Sequence, residues 1–290
     1  VAAPKQAVSA LPASPPRISL LTSAITISER ERWESGFSYE PEACGEGNTA
    51  TWDPCTNPDL DNGVQSGAVD VETFAIAAVD SCSSFGSAAR TWKERAQRKL
   101  VACESNLIEA ELWSGAIARS SGWANKYLTH LDSDVLSDLP IEDAVQALAC
   151  LEQALATCNC GSRGMIHATP QTVILWAQGG GLRREGNLIL TINDTVVVPG
   201  SGYDGSGPQQ AVDGAPVPAA DGSVWAYATG MVHIRMSPIE IIPNTPDEAM
   251  DRSANRLTYW AQRTVAATFD CCLFAIEMDL RDCGIGGAGS

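Results

Sequence analysis

RGMIHATP at residues 163–170, GSGYDGSGP at 200–208 and VWAYATGMVHIR at 224–235 decide the reading of the last third of the chain. Met165 to Thr169 has the length and apolar content of a short strand. Thr169 is then placed to cap a helix that begins at Pro170, where a missing N–H costs nothing, and runs to Ala177. Residues 188–192 and 195–199 read as strands joined by a turn at Asn193-Asp194. The Gly-rich run at 200–208 reads as a turn, and 224–235 and 239–242 as two further strands parted by Pro238. Thr245-Pro246-Asp247-Glu248 offers an N-cap, a first-position proline, acids in the first turn and a glutamate placed for a capping box. It predicts a helix carrying Met250, Leu257, Trp260 and Val265 to about Thr268. An apolar strand, CCLFAIEMDL at 271–280, and a loose tail at 284–290 follow.

Working back from there, residues 141–156 form a helical pattern with Ile141, Val145, Leu148, Leu151 and Leu155 inward, stopped by Cys158-Asn159-Cys160-Gly161. Residues 120–140 are a polar loop. Before it lies a long helical run, 88–119, capped by Ser87, in which Trp92, Ala96, Leu100, Cys103, Leu107, Ala110, Trp113 and Ile117 recur every three or four residues. Free of Gly and Pro until Gly115, it reaches roughly 40 Å, which suits an elongated body that needs a brace. Residues 69–82 have strand composition. Residues 44–67 are a polar excursion with turn chemistry at Asp53-Pro54, Asn57-Pro58 and Asn62-Gly63, and the last of these favours a two-stranded ribbon. Residues 1–16 carry Pro4, Pro12, Pro15 and Pro16 and read as an extended arm that orders only against neighbours.

With 290 residues, the chain is long enough for a sizeable core. Its net charge of −16 repels polyanions and argues against a groove that grips nucleic acid. Only four lysines occur, Lys5, Lys93, Lys99 and Lys126, so most positive charge is arginine, the residue better suited to planar paired contacts at interfaces. No apolar run is long enough to span a membrane and no signal-peptide pattern opens the chain, so a soluble, unexported protein is expected. Ten cysteines, several inside apolar helical or strand patterns, read as buried thiols of a reduced fold.

Chemistry-bearing patterns are sparse. Cys158-x-Cys160 and Cys271-Cys272 lack the spacing that clasps zinc, so no metal is expected. Gly179-Gly180-Gly181 and the 200–208 run have neither a Walker lysine nor a dinucleotide-binding context, so no cofactor is expected. No G-x-S-x-G occurs, and His130, His167 and His233 are far apart and read as structural. No catalytic residue is put forward. Glu104, Glu109 and Glu111 beside the helical stripe read as a solvated or inter-subunit face.

In order, these elements are arm, excursion, strand, long helix, loop, helix, strand, helix, paired strands, helix and last strand. That order, with GMIHATP before a short helix and LWSG at 112–115 after the long one, resembles the Hong Kong 97 type of tailed-bacteriophage major capsid protein, to which encapsulins are related. The resemblance implies an α+β fold. It divides the chain into an N-terminal arm (1–36), an extended loop across a neighbouring subunit (37–82), a peripheral domain with a spine helix (83–140), an axial domain around five-fold and six-fold axes (141–245), and a return to the peripheral domain through a helix and the last strand (246–290). It implies self-assembly as hexamers and pentamers into an icosahedral shell in the host bacterial cytoplasm and then the virion. The implied partners are portal, scaffolding and decoration proteins and double-stranded DNA held without sequence specificity, with no membrane. Candidate inter-subunit contacts are Arg17, Arg30, Arg32, Trp33, Trp52, Trp92, Trp113 and Tyr203. No lysine lies between Lys5 and Lys93, so the isopeptide cross-link known from the founding member is not expected. The missing helical leader implies a removed scaffold segment or a separate scaffold. A Cys44–Cys55 bond across the ribbon is a further option. The alternatives are an encapsulin-like compartment shell, another virion part such as a tail or connector protein, or, from a different class, a soluble α+β hydrolase using His167.

Overall fold

A 14-residue strand near the C-terminus organises half of the molecule, in the stretch where the sequence predicts a helix. The structure, a computed structural model, describes residues 17–27, 32–41, 68–83, 91–158, 163–211 and 214–280. In chain order the elements are α1 (Leu20–Ser23), β1 (Ile25–Ile27), β2 (Phe37–Tyr39), β3 (Val69–Val71), β4 (Phe74–Ser83), α2 (Trp92–Ser114), α3 (Ala116–Ser121) and β5 (Asp134–Val135). There follow α4 (Ala144–Cys158), β6 (Met165–Ala168), α5 (Pro170–Gln178), β7 (Leu182–Glu185), β8 (Leu188–Thr191), β9 (Val196–Pro199) and β10 (Ser223–Thr229). The last are β11 (Val232–Met236), β12 (Glu240–Ile242), α6 (Pro246–Ala249), β13 (Met250–Asp251), β14 (Arg256–Phe269) and β15 (Leu273–Asp279).

The helix expected from 246 to about 268 is four residues long, α6, and then gives way to β13 and β14. Asp251 is the reason. Its Oδ1 accepts from Ser253 N, Ser253 Oγ and Ala254 N, a local turn that competes with helical hydrogen bonding, and Asn255 sits at φ +49° to complete the reversal. Beyond it, RLTYWAQRTVAATF is rich in β-branched and aromatic residues, and Leu257, Tyr259 and Ala261 alternate inward. β14 pairs along its length with β4 on one side and with β11, β12 and β13 on the other; β1 adds a parallel strand to β11.

The long helix α2 lies on this six-stranded sheet. Trp92 stacks on Tyr259 with ring centroids 3.6 Å apart, and buried Asp80 on β4 receives Arg95 at 3.0 Å and Lys99 at 2.6 Å. α2 is shorter than the 88–119 run expected. It ends at Gly115, in the left-handed region at φ +56°, where a side chain would collide with the Tyr127 ring. The Glu111 carboxyl then accepts from Ile117 N and Ala118 N and starts α3.

The second sheet has seven strands in the order β5-β15-β10-β6-β9-β8-β7, and α4 and α5 cover it. Thr169 caps α5, with Pro170 first, as the sequence reading has it. The core here joins Leu148, Leu151 and Leu155 of α4 and Trp176 of α5 to Ile166, Val197, Ala226 and Ile276 of the sheet. Two expectations are corrected. The run 224–235 is two strands, β10 and β11, which belong to different sheets and part at Gly230, and the last strand, β15, joins the seven-stranded sheet and not the one beneath α2. After β5 the chain therefore passes between the sheets twice more, at Gly230 and at residues 270–272, and Gly230 N donates to Cys271 O where these crossings touch.

Reduced thiols are also corrected at this point. Cys158, at the end of α4, is joined to Cys272, with Cα atoms 5.9 Å apart, and Cys271 is disulfide-bonded as well. Cys82, Cys103 and Cys150 are free. Cys44, Cys55, most of the arm and residues 42–67 lie outside the described residues. Among the described residues no helix is long and apolar enough to cross a membrane.

Candidate functional site

Two buried polar clusters lock the N-terminal segment, the long helix and the Gly-rich turn to one another. Glu109, on α2, is fully buried. Its Oε1 accepts from Leu20 N (2.9 Å) and Ser105 Oγ (3.1 Å), and its Oε2 from Ser201 Oγ (3.1 Å) and Gly202 N (3.0 Å). One side chain thus satisfies the first residue of α1 and the 200–208 turn together. Gly202 makes the approach possible, because a Cβ there would lie 2.2 Å from Asn106 O and 2.7 Å from Ala110 N of α2.

The second cluster continues from the same turn. Tyr203, buried between Trp113 and His167, has its hydroxyl 2.9 Å from His167 Nδ1, and His167 Nε2 lies 3.0 Å from Thr229 Oγ1. Thr229 Oγ1 donates onward to Gly230 O, so it accepts from Nε2–H, and Nδ1 accepts from Tyr203. His167 is therefore the neutral tautomer. Burial lowers its pKa from 6.5 to about 3, and burial, then the nearby Glu109, raises that of Tyr203 well above 10. Both ring nitrogens of His167 are taken by hydroxyls, and neither faces a carboxylate or a serine, so the triad geometry that a hydrolase would use is not formed here.

A depressed histidine pKa has a stability consequence with a definite sign. The unfolded chain binds a proton near pH 6.5 that the native site refuses until about pH 3. The contribution is whole above pH 6.5 and is lost as pH falls through that window, about 2 kcal/mol by pH 5. Urea unfolding of wild type at pH 7 and pH 5 should differ by about that much more than in His167→Gln; equal losses in both proteins would contradict the assignment.

Of the residues put forward as inter-subunit contacts, Trp33, Trp92, Trp113 and Tyr203 are buried within the chain. Trp33 packs on Val71 and Ala266, Trp92 on Tyr259, and Trp113 on Tyr203 and Tyr227. They are core residues, because large aromatic area is better used inside than left on a face. Arg17 and Arg32 are exposed, and Arg30 and Trp52 lie outside the described residues. The glutamates read as a solvated or inter-subunit face are intramolecular: Glu109 and Glu111 as above, and Glu104 in a half-buried pair with Arg263 at 2.9 Å.

The apolar side chains that do face outward are others. Val79, Trp260 and Ile242 stand opposite one another on β4, β14 and β12, each between 42% and 49% exposed, and Leu139 and Ile192 are 74% and 73% exposed. Period-two alternation in 256–269 would have placed Trp260 outward. Loop residues such as Leu139 carry no such signal. Between residues 41 and 68 the excursion departs from a two-stranded base, β2 and β3. Tyr39 OH donates to Phe269 O, and Asn125 brackets Glu72 with two backbone hydrogen bonds of 2.7 and 2.8 Å, so the root of the excursion is fixed to the body.

No protein-family model matches the sequence, and no curated protein matches it. Its structure does have relatives. The capsid of Ralstonia phage GP4 is similar with a TM-score of 0.57 and 11% identity, over 98% of this chain and 97% of that one. The holo-SrpI encapsulin complex of Synechococcus elongatus PCC 7942 is similar with a TM-score of 0.55 and 10% identity, over 99% and 96%. The capsid of a native GTA particle, computed with C5 symmetry, gives 0.53 and 10%, over 96% and 95%. At these identities the likeness establishes the fold, which is α+β and of the Hong Kong 97 capsid type over nearly the whole chain.

Proposed function

We propose that this chain is a major capsid protein, which assembles as hexamers and pentamers into the icosahedral shell around the double-stranded DNA of a tailed bacteriophage. Its work is structural, and no bond is made or broken by it. The observation that carries the reading is the agreement with a phage capsid chain over 98% of this chain and 97% of that one. The fixed root of the 42–67 excursion supports a segment that reaches over a neighbour, and Arg17 and Arg32 are exposed and free to meet one. Residues 37–82 then serve as the extended loop and α2 as the spine. A portal, a scaffold and a decoration protein complete the partners of such a shell, and a strongly acidic chain leaves the packaged DNA free to slide.

Each contact can be weak, since a subunit held by several neighbours leaves only when all of them fail. Negative-stain microscopy of the purified chain tests the proposal: closed particles or capsomer rings are expected, and a monomer at every concentration would overturn it. The likeness to an encapsulin supports a second reading, a compartment shell, and particles that contain a protein cargo and no DNA would favour it.

A further inference from the structure

The seven-stranded sheet ends in two unlike edges. At one end β5 pairs, among the described residues, only with β15, and the chain around it, residues 127–162, contains Asp132, Asp134, Asp138, Glu142, Asp143 and Glu152 without a single lysine or arginine. Asp134, Asp138 and Glu142 are exposed and meet no cation among the described residues. At the other end β7 pairs only with β8 and carries Arg183 and Arg184 outward. Arg183 is engaged by Glu185 and Asp194, whereas among the described residues Arg184 donates to Gly186 O and meets no carboxylate.

Six inter-strand gaps separate the two edges, roughly 29 Å at about 4.8 Å each, which is well beyond the reach of a side chain and beyond the screening length at physiological salt. The charges cannot answer one another within a copy, but they can between copies. Among the described residues no further strand pairs with either edge, and each has an exposed apolar neighbour, Leu139 beside Asp138 and Ile192 just after β8; such edges invite association unless a partner covers them.

We infer that the β7 edge of one copy docks against the β5 edge of the next, with Arg184 facing the Asp134–Asp138 carboxylates. The contact is head-to-tail, so repeating it closes a ring where the rotation from copy to copy divides a full turn. It rests on the shell reading above and specifies which surfaces meet around the ring axis. In a chain of charge −16, like copies repel, and a matched basic edge gives them one allowed orientation.

The test uses the full chain in three forms: wild type, R184E, and the acid-edge variant D134K/D138K. All the altered residues are exposed, and circular dichroism and thermal melting should match wild type. Each variant alone should lose assembled mass in sedimentation by at least about tenfold, since like charges are brought together. Mixed in equal amounts, the two should assemble again, because each altered edge then meets a complementary one, and rings with an even number of subunits should predominate. If R184E folds and assembles as wild type does, or if the folded variants fail to complement, the edge pairing is wrong while the shell reading stands. Should R184E not fold, assembly by the acid-edge variant alone at the wild-type level would overturn the pairing, and loss of assembly would support it. If wild type itself never assembles, the shell reading falls and the pairing falls with it.

Discussion

Replacing Glu109 with leucine is expected to destabilise the protein by about 3–5 kcal/mol in urea unfolding and to free the segment around α1 for rapid amide exchange. Leucine fills nearly the same space, so the effect isolates the polar atoms. Leu20 N loses its acceptor inside the core, and Ser105 Oγ, Ser201 Oγ and Gly202 N lose theirs at the half-buried rim of the same cluster. Glu109→Gln keeps one oxygen but turns an N–H₂ toward donors, and about half of the loss should remain. The N-terminal segment is the sensitive readout because little else holds it: one hydrogen bond to Glu109, the burial of Leu20, and three residues of β1 paired in parallel with β11. On the proposed shell function, Glu109→Leu should also disorder assembly, because this latch anchors α1 to the body. A Leu variant within about 1 kcal/mol of wild type, with residues 17–27 still protected, would sink the idea.

The role of Glu109 was not legible in the sequence, for a reason that α2 makes plain. Its inward row is Trp92, Ala96, Leu100, Glu104, Ile108 and Leu112, every fourth residue, with Glu109 and Trp113 beside the end of it. A periodicity reading prefers apolar residues, so it passes over the two acids and moves to Cys103, Leu107 and Ile117, all exposed. The carboxylates are inside because Arg263 and the 200–208 turn meet them, and those partners are 92 or more residues away in the chain. Local signals fared better where the determinant was itself local: Thr169-Pro170 at the start of α5, the Asn193-Asp194 turn between β8 and β9, the α4 stripe. Pro246 misled for the complementary reason. Its capping pattern is real but governs one turn, and the Asp251 turn and the β-branched run after it decide the remaining residues.

Reduction should cost more than any single contact. Cys158 and Cys272 are 114 residues apart, so their bond holds α4 to the start of β15 and encloses β6 to β14. Confining an unfolded loop of that length is worth about 4–5 kcal/mol in the chain-entropy account. Melting in a phosphine reductant, or of C158S/C272S, is accordingly expected about 10 °C or more below the oxidised protein, with the far-ultraviolet spectrum unchanged. The spectrum should persist because the surrounding packing does not depend on the bond: Cys272 is buried among Leu155, Ala228 and Ile276, which stay apolar and close-packed either way. For a shell built in a reducing bacterial cytoplasm the consequence is temporal. On the proposed shell function, subunits would assemble as thiols, reversible and correctable, and the bonds would close after release, when dioxygen or a disulfide can take the electrons. Particles purified under reductant should therefore gain heat resistance on oxidation without any change in diameter. A melting temperature that moves by less than about 2 °C between the two states would show that the α4–β15 junction is held by packing alone.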